Sequence, residues 1–445
     1  ITREGQKESS VATEEEDEIV KLKKRIHERI LTKLDLKRID ISVTSDPKKS
    51  RALRETAERV ISDLLTEQTG ALISSYEVRQ RLIKEIVDEA LGMGPLEDLL
   101  VDPEITDIMV NNKDEVYIER SGRMLLTTKK FISNEQVRAI IERIVAPLGR
   151  RIDEATPMVD ARLPDGSRIN AIIPPLSIRG PMLTIRKFRH ELFMMDDLLH
   201  RFRSLNKPMG DFLMACVKSR KNIIVSGGAG SGKTTLLNIL SSFIPNTERI
   251  ITIEDAAELK LKQEHWVRLE SRAPNVEGRG AVTIRDLFVN SLRMRPDRII
   301  IGECRSAEIL DMLQAMNTGH DGSLTTIHAN STQDVLIRMG SMMLMSGVEL
   351  PMRAINEIIG SAIDIIIHTA RMSDGTRKVT QVTEVTGITR EHEIILKDIF
   401  VFIQKGVNPD GTVFGDFQPT GHLPSFFDEL KTRGIDISED SFKPS

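Results

Sequence analysis

A glycine-rich run at 227–234 has the residue types and spacing of a phosphate-binding loop. It fits the pattern G-x-x-x-x-G-K-[ST]. Glycines let successive backbone N–H groups curl around phosphates, and a helix that begins there points its positive dipole end at the anion. We expect Lys233 to neutralise the β- and γ-phosphates of ATP and the Thr234 hydroxyl to bind Mg²⁺. The predicted nucleotide contacts are Gly228, Ala229, Gly230, Ser231, Gly232, Lys233, Thr234 and Thr235.

Carboxylates end two apolar runs farther along the chain. Glu303 closes the run at 298–303, and Glu254 and Asp255 close the run at 249–255. A carboxylate at such a strand end can polarise an attacking water or reach the Mg²⁺ shell, directly or through water. Each acid could instead hold a structural salt bridge, for Glu303 with the nearby Arg305.

Histidine and arginine side chains complete the set of candidates. His328 follows the run 324–327, although a lone histidine is more often structural. Phosphate transfer gains from a guanidinium that spreads transition-state charge, often from a neighbouring subunit. The candidates before the phosphate-binding loop are Arg162, Arg168, Arg179 and Arg186, and a second, comparable cluster is Arg293, Arg295 and Arg298.

Apolar strands that alternate with helical patterns must position these residues. The run 222–226 leads into the glycine-rich loop, a helix pattern follows at 235–243, and the runs ending in acids come next. Continuous apolar strands of this kind indicate a parallel sheet covered on both faces. Ligands bind at the carboxyl ends of strands in such sheets, where these acids fall.

The predicted fold class is α/β. It has a P-loop NTPase (RecA-like) core with a mainly parallel sheet, preceded by an α+β PAS-like domain and a small N-terminal helical bundle. The helical stripes of the bundle recur every three to four residues, and short β-rich runs follow. The predicted divisions are a disordered acidic tail at 1–18, the bundle at 19–92, the α+β domain at 93–190, linker helices at 191–220, the ATPase domain at 221–405 and a C-terminal extension, packed by its aromatics, at 406–445.

Composition narrows the class of protein. The 445 residues carry a net charge of −4, which argues against a nucleic-acid binder. No apolar run reaches the roughly 18 residues typical of a membrane span. The two cysteines are far apart and form no CxxC pair, which argues against a disulfide framework or a zinc knuckle. We therefore expect a cytoplasmic protein.

The order of these motifs resembles the type II/type IV secretion ATPase superfamily, and within it the CpaF/TadA-type ATPase of tight-adherence (Tad) pili. The similar segments, which span about 90–400, are GGAGSGKT at 227–234, ITIEDAAEL at 251–259, RIIIGECR at 298–305 and GSLTTIHAN at 322–330, together with 158–175 and 183–188 before the loop. The tetracysteine zinc module of many type II secretion ATPases is absent, and the strand before Glu303 lacks the usual aspartate.

The resemblance implies a homohexameric ring of two-domain subunits, with nucleotide between the domains and arginines acting across the subunit interface. It implies Glu303 as the principal catalytic carboxylate, Glu254 as its assistant and His328 near the γ-phosphate. It further implies docking on inner-membrane pilus platform proteins, indirect action on pilin, and membrane association through these partners at the cytoplasmic face. Such a motor would drive assembly of the pilus and also its retraction, with no nucleic acid expected.

Two other functions remain open. A DNA-translocating or type IV secretion/conjugation ATPase of the same superfamily would show DNA-stimulated turnover that falls with salt. A scaffold that binds ATP only as a structural ligand would keep its function when Glu303 is replaced by glutamine.

Overall fold

The computed structural model of the chain describes residues 22, 25–26, 29–30, 47–69, 76–120, 122–163, 165–188, 191–272, 274 and 279–444. The acidic tail predicted at 1–18 lies outside these residues. The chain divides into two compact units, Ile1–His190 and Glu191–Ser445.

Helices open the first unit. Helix α1 spans Pro47–Thr69 and helix α2 spans Tyr76–Leu91. Their apolar stripes share one core with Ile26 and Ile30. A short 3₁₀ turn at Gly94–Leu96 then leads into helix α3, Glu97–Val101. The helices are thus held by burial of one apolar face each rather than by propensity alone.

A six-stranded antiparallel sheet, sheet A, forms the rest of the first unit. Its spatial order is β3-β2-β1-β6-β5-β4. Helix α4, Asn134–Val145, begins at an N-cap where the Ser133 side chain accepts from the backbone N–H of Gln136, and its apolar face packs on the sheet. The strands are β1 (Ile105–Asn112), β2 (Glu115–Arg120), β3 (Arg123–Leu126), β4 (Met158–Arg162), β5 (Arg168–Ile172) and β6 (Met182–Arg186).

A nine-stranded sheet, sheet B, is the centre of the second unit. Its spatial order is β15-β14-β13-β12-β7-β11-β10-β8-β9. The strands from β12 to β9 run parallel, as predicted for the core, and β13 to β15 extend one edge in antiparallel fashion. The strands are β7 (Ile223–Gly227), β8 (Ile250–Glu254), β9 (Trp266–Glu270), β10 (Arg298–Ile301), β11 (Leu324–His328), β12 (Ile365–Arg371), β13 (Arg377–Ile388), β14 (Ile394–Val407) and β15 (Val413–Pro419).

Both faces of sheet B are covered. Alternate residues of one strand enter opposite cores, so that Ile223 and Val225 join one cluster while Ile224 joins the other. This explains why the strand is apolar at every position rather than at every second one. The covering helices are α5 (Lys207–Lys218), α6 (Lys233–Ser241), α7 (Ile284–Ser291), α8 (Glu308–Met316), α9 (Thr332–Leu344), α10 (Met352–Ala362) and α11 (Phe427–Thr432).

The two compact units each contain more than one of the predicted segments. The segments 19–92 and 93–190 fall in one compact unit, because α2 and α4 are joined by hydrogen bonds from Arg143 to the carbonyls of Ala90 and Gly92. Within the segment 191–220, Phe212 of α5 is fully buried in the core of the second unit. The boundary at 405/406 falls inside β14.

The last residues also pack on the second unit. Phe442 contacts Phe212 edge-on with ring centroids 5.5 Å apart, and Phe426 and Phe427 belong to the same core. The aromatic content of this segment predicted such packing. No helix within the part of the chain that the structure describes is both long and apolar enough to cross a membrane.

Candidate active site

The glycine-rich loop joins β7 to α6 at the carboxyl edge of sheet B. Gly230 and Gly232 have φ of 68° and 95°, in the left-handed region where glycine avoids the strain of a side chain. Helix α6 begins at Lys233 immediately after the loop. The loop therefore presents backbone N–H groups and a helix amino terminus at one place, which is the geometry of a phosphate site.

Lys233 is the only lysine of α6 and is 7% exposed. Its ammonium donates to the carbonyl of Gly228 at 2.8 Å and lies 3.3 Å from Nδ1 of His328. Burial lowers the pKa of Lys233, while the charge of Glu303 acts in the opposite direction. A phosphate group would offer this ammonium stronger, charge-assisted acceptors than a backbone carbonyl does.

His328 links Lys233 to Glu303. Its Nε2 lies 3.0 Å from Oε1 of Glu303. Burial, and next the charge of Lys233, lower the pKa of His328, which favours the neutral ring. A neutral ring satisfies both contacts in one tautomer, since Nε2–H donates to the carboxylate and Nδ1 accepts from the lysine.

Arg305 forms an ion pair with the second carboxylate oxygen of Glu303. Its Nη2 lies 2.7 Å from Oε2 of Glu303, and its Nη1 lies 3.5 Å from Asp255. Asp255 also accepts from the Ser271 hydroxyl at 2.9 Å. The salt bridge considered from the sequence between Glu303 and Arg305 is thus present, and it coexists with the contact to His328.

Glu254 ends β8 and is 3% exposed. Its Oε1 accepts from the backbone N–H groups of Glu258 and Leu259, each at 2.9 Å, whereas its Oε2 is buried without a hydrogen-bond partner. Burial raises the pKa of Glu254 to about 7. A buried oxygen without a partner is costly unless a further group binds to it.

A Mg²⁺ ion that binds together with nucleotide would need few ligands from the protein. The described residues contain no group of three or more histidine, cysteine, aspartate or glutamate side chains that could hold a metal ion. Mg²⁺ commonly takes one or two protein oxygens and fills its octahedron with phosphates and water. The Thr234 hydroxyl at the start of α6 and the unpartnered oxygen of Glu254 are suitable donors.

Three of the predicted arginines form one row across sheet A. Arg162 pairs with Arg168 in the β4–β5 register, and Arg168 pairs with Arg186 in the β5–β6 register. The row continues to Asp107 on β1, whose carboxylate lies 3.2 Å from Nε of Arg186. We call Arg162, Arg168 and Arg186 the arginine row.

Arg179 stands apart from this row. It is exposed on the turn between β5 and β6 and forms a 2.6 Å ion pair with Glu115. Of the alternative cluster, Arg298 is buried, pairs with Glu248 and donates to the carbonyls of Val217 and Gly322. Arg298 is therefore structural in the second unit.

The hairpin between β12 and β13 also contacts the glycine-rich loop, although the sequence pattern did not predict it. Thr369 lies within hydrogen-bond distance of Ser231 at 2.9 Å, and Nε of Arg377 donates to the carbonyl of Gly230 at 2.8 Å. A signal was present, since β12 is an apolar run, Ile365–Ile367, that ends in polar residues as the other strands at this edge do.

The chain is similar to several known proteins. A family described as type II/IV secretion system protein matches residues 89–394. A putative conjugal transfer protein of Mycobacterium tuberculosis is 33% identical over 343 residues, which cover 75% of this chain and 95% of the relative. Conjugal transfer protein TrbB of Rhizobium radiobacter is 31% identical over 316 residues, which cover 70% and 93%. The solved VirB11 ATPase of the Brucella suis type IV secretion system is 28% identical, and the match covers 65% of this chain and 95% of that structure, with a TM-score of 0.36.

Proposed function

Because this chain belongs to the type II/IV secretion system protein family, we propose that it is an ATPase motor that powers pilus assembly. In its full form the proposal is a homohexamer that hydrolyses ATP to assemble, and also retract, a Tad/type IV-like pilus at the bacterial inner membrane. The observation that carries the hydrolytic part is the chain of contacts Lys233–His328–Glu303 at the carboxyl edge of sheet B.

Lys233 acts first in this proposal. When ATP binds, the ammonium of Lys233 moves from Gly228 and His328 to an oxygen of the γ-phosphate, because a phosphate oxygen is a charged acceptor. His328 keeps its Nε2–H on Glu303 and so holds one carboxylate oxygen in place. The catalytic carboxylate is thereby held in the same orientation before and after the substrate binds.

Glu303 is the proposed general base. Arg305 has a side chain 54% exposed, and such ion pairs contribute only about 0–1 kcal/mol, so water can replace it on Oε2. That water attacks the γ-phosphorus and gives its proton to Glu303, and the bond from phosphorus to the bridging oxygen breaks to leave ADP. A positioned base of this kind contributes about 10²–10⁴-fold in rate.

Mg²⁺ would neutralise oxygens of the β- and γ-phosphates. Thr234 is the proposed direct ligand, and Glu254 or Glu303 would act through water. The unpartnered Oε2 of Glu254 supports this assignment, because a hydrated cation would satisfy that oxygen and favour the ionised carboxylate.

The arginine row is proposed to supply a positive charge to the active site of a neighbouring subunit. Arg162 lies on β4, which is one of the two edge strands of sheet A, so it is the member of the row that is proposed to face a neighbouring copy. In the hexamer a guanidinium of one subunit would stabilise the transition state formed in the next.

The pilus assignment rests on the segments at 158–175 and 183–188 and on the scarcity of cysteines. The proposed partners are inner-membrane platform proteins, with pilin acted on indirectly, and the proposed location is the cytoplasmic face of that membrane. No nucleic acid is part of this proposal.

A second function, a conjugation or DNA-translocating ATPase, is favoured by one observation. Relatives that match most of the chain are named conjugal transfer proteins. Turnover stimulated by double-stranded DNA and lost at high salt would support this second function over the pilus motor.

The deciding experiment measures ATPase activity and mass in solution together, with and without ATP and Mg²⁺. Wild type and Glu303→Gln are compared. We expect a hexamer with Mg²⁺-dependent turnover, and a variant that still binds ATP but turns over about 10²–10⁴-fold more slowly. Normal turnover by the variant would contradict the role of Glu303, and ATP binding by wild type without any turnover would favour the scaffold.

A further inference from the structure

The hairpin between β12 and β13 is attached to the phosphate-binding loop at several points. The Thr369 hydroxyl donates to the carbonyl of Ser226 at 3.0 Å and lies 2.9 Å from the hydroxyl of Ser231. Arg377 reaches the same loop through Gly230. A side chain at Gly227 would clash with Thr369, because its Cβ would lie 2.2 Å from the Thr369 carbonyl oxygen. The hairpin and the loop therefore form one packed element.

Two arginines of this hairpin lie over the glycines of the loop. A Cβ at Gly230 would lie 3.7 Å from Nη1 of Arg371, and a Cβ at Gly232 would lie 3.3 Å from Cδ of Arg377. Arg371 is exposed and Arg377 is half-buried. The space above these glycines is thus bordered by guanidinium side chains rather than by apolar ones.

The order of strands shows on which side of the loop this hairpin lies. Strand β7, which carries the loop, lies between β11 and β12. Lys233 contacts His328 at the end of β11, and Glu303 follows β10, so the reacting groups lie on the β11 side. A nucleotide with its γ-phosphate on that side extends its nucleoside toward β12.

We propose that the β12–β13 hairpin is the nucleoside wall of the ATP site, with Arg371 stacking its guanidinium plane on the base. This inference rests on the proposed ATPase function. The segment 365–377 contains no phenylalanine, tyrosine or tryptophan, and His368 is buried against Ser226, so its exposed or half-buried planar cations are Arg371 and Arg377. Guanidinium planes stack on aromatic rings, which lysine cannot do.

Arg377 has a different, positioning role. Its Nε–H holds the carbonyl of Gly230 and so fixes the conformation in which the loop N–H groups converge. Loss of this hydrogen bond should weaken binding of any phosphate ligand, whether or not it carries a base.

The test is titration calorimetry of the full chain with ADP and with pyrophosphate, which is ADP's phosphate part. Arg371→Ala should weaken ADP binding about tenfold, equivalent to about 1.4 kcal/mol, and leave pyrophosphate binding unchanged. Arg371→Lys should fail to restore ADP affinity, because it retains the charge but lacks the plane. Arg377→Ala should weaken both ligands.

Arg390→Ala is the matched control. Arg390 is exposed beyond the opposite end of β13, so its loss should change neither affinity. Equal losses of ADP and pyrophosphate affinity in Arg371→Ala would overturn the inference by placing Arg371 on phosphate, and unchanged ADP affinity would overturn it outright. Either result leaves the ATPase proposal intact, whereas failure of wild type to bind ADP or ATP would overturn both.

Discussion

Unlike groups contact one another at the carboxyl edge of sheet B, whereas like charges stand side by side on sheet A. In the second unit, Lys233, His328, Glu303 and Arg305 contact one another in series. In the first unit, the arginine row places three guanidinium groups on adjacent strands in register before the acids Asp107 and Glu119 follow. The first arrangement thus brings unlike groups into contact, and the second places like charges next to one another.

We propose that the groups at sheet B form a preorganised site and that the arginine row is suited to bind an external anion. Groups that neutralise one another hold a fixed geometry before the ligand arrives. Like charges directly opposite each other in a sheet are destabilising, so an anion placed over the row would relieve repulsion. We therefore expect substitutions in the second unit to affect ATP binding and chemistry within a subunit, and substitutions in the row to act through the oligomer.

The largest effect should come from Lys233→Ala. The variant loses the charge-assisted contact to phosphate, so ATP affinity should fall on the order of a hundredfold and turnover should reach background. Lys218→Ala, an exposed lysine of α5, is the control and should bind ATP normally. Unchanged ATP affinity in Lys233→Ala would refute the assignment of the loop.

Arg162→Ala tests the other side of the comparison. Turnover of the oligomer should fall about a thousandfold, as for other arginines that act in trans, while ATP binding by the isolated subunit stays unchanged. Arg179→Ala provides the contrast, because Arg179 is paired with Glu115 outside the row. If binding by the subunit collapses in Arg162→Ala, or if Arg179→Ala is the more damaging change, the row is not the source of charge in trans.

Glu254→Gln should change how stability depends on pH. The pKa of Glu254 is raised by burial from 4.5 to about 7, so between these values the folded state holds a proton that the unfolded chain has released. Stability of wild type should therefore fall as pH rises through this window, by roughly 3 kcal/mol at most. Glutamine cannot ionise, so the variant should lose this decline, and denaturant melts at pH 5 and pH 8 compare the two.

Addition of Mg²⁺ and nucleotide should reduce the fall of stability with rising pH in wild type but not in Glu254→Gln. A cation near Oε2 stabilises the carboxylate and offsets the cost of its burial. The same pH slope in wild type and Glu254→Gln would show that the carboxyl is already ionised at neutral pH.

The smallest effect concerns the stability of the first unit. Arg168 stands between Arg162 and Arg186 in the row, so Arg168→Ala removes the repulsion between Arg168 and each of these two arginines. The free energy of unfolding should rise by about 0.2–1 kcal/mol at low salt, and the gain should shrink at high salt as the repulsion is screened. A loss of stability that is independent of salt would show that packing of the Arg168 side chain outweighs repulsion.

Local patterns explain which parts of the site the sequence could predict. The glycines, lysine and threonine of the loop are contiguous, and Glu254, Glu303 and His328 each end an apolar run. Strand ends of a parallel sheet meet at one edge, so these groups could be assigned together before any coordinates. The hairpin residues Arg371 and Arg377 were missed because they flank an antiparallel turn, which the pattern of alternating strands and helices does not predict.

The sequence by itself determined the glycine-rich loop, the doubly covered sheet and the acids at its edge, because these depend on short-range spacing and on apolar runs. Only the tertiary structure decided which groups meet. Lys233 and His328 are 95 positions apart, and the arginine row exists only in one strand register, since a shift by one residue would turn its side chains to the other face. Distances between remote residues follow from packing and register, which no local pattern encodes.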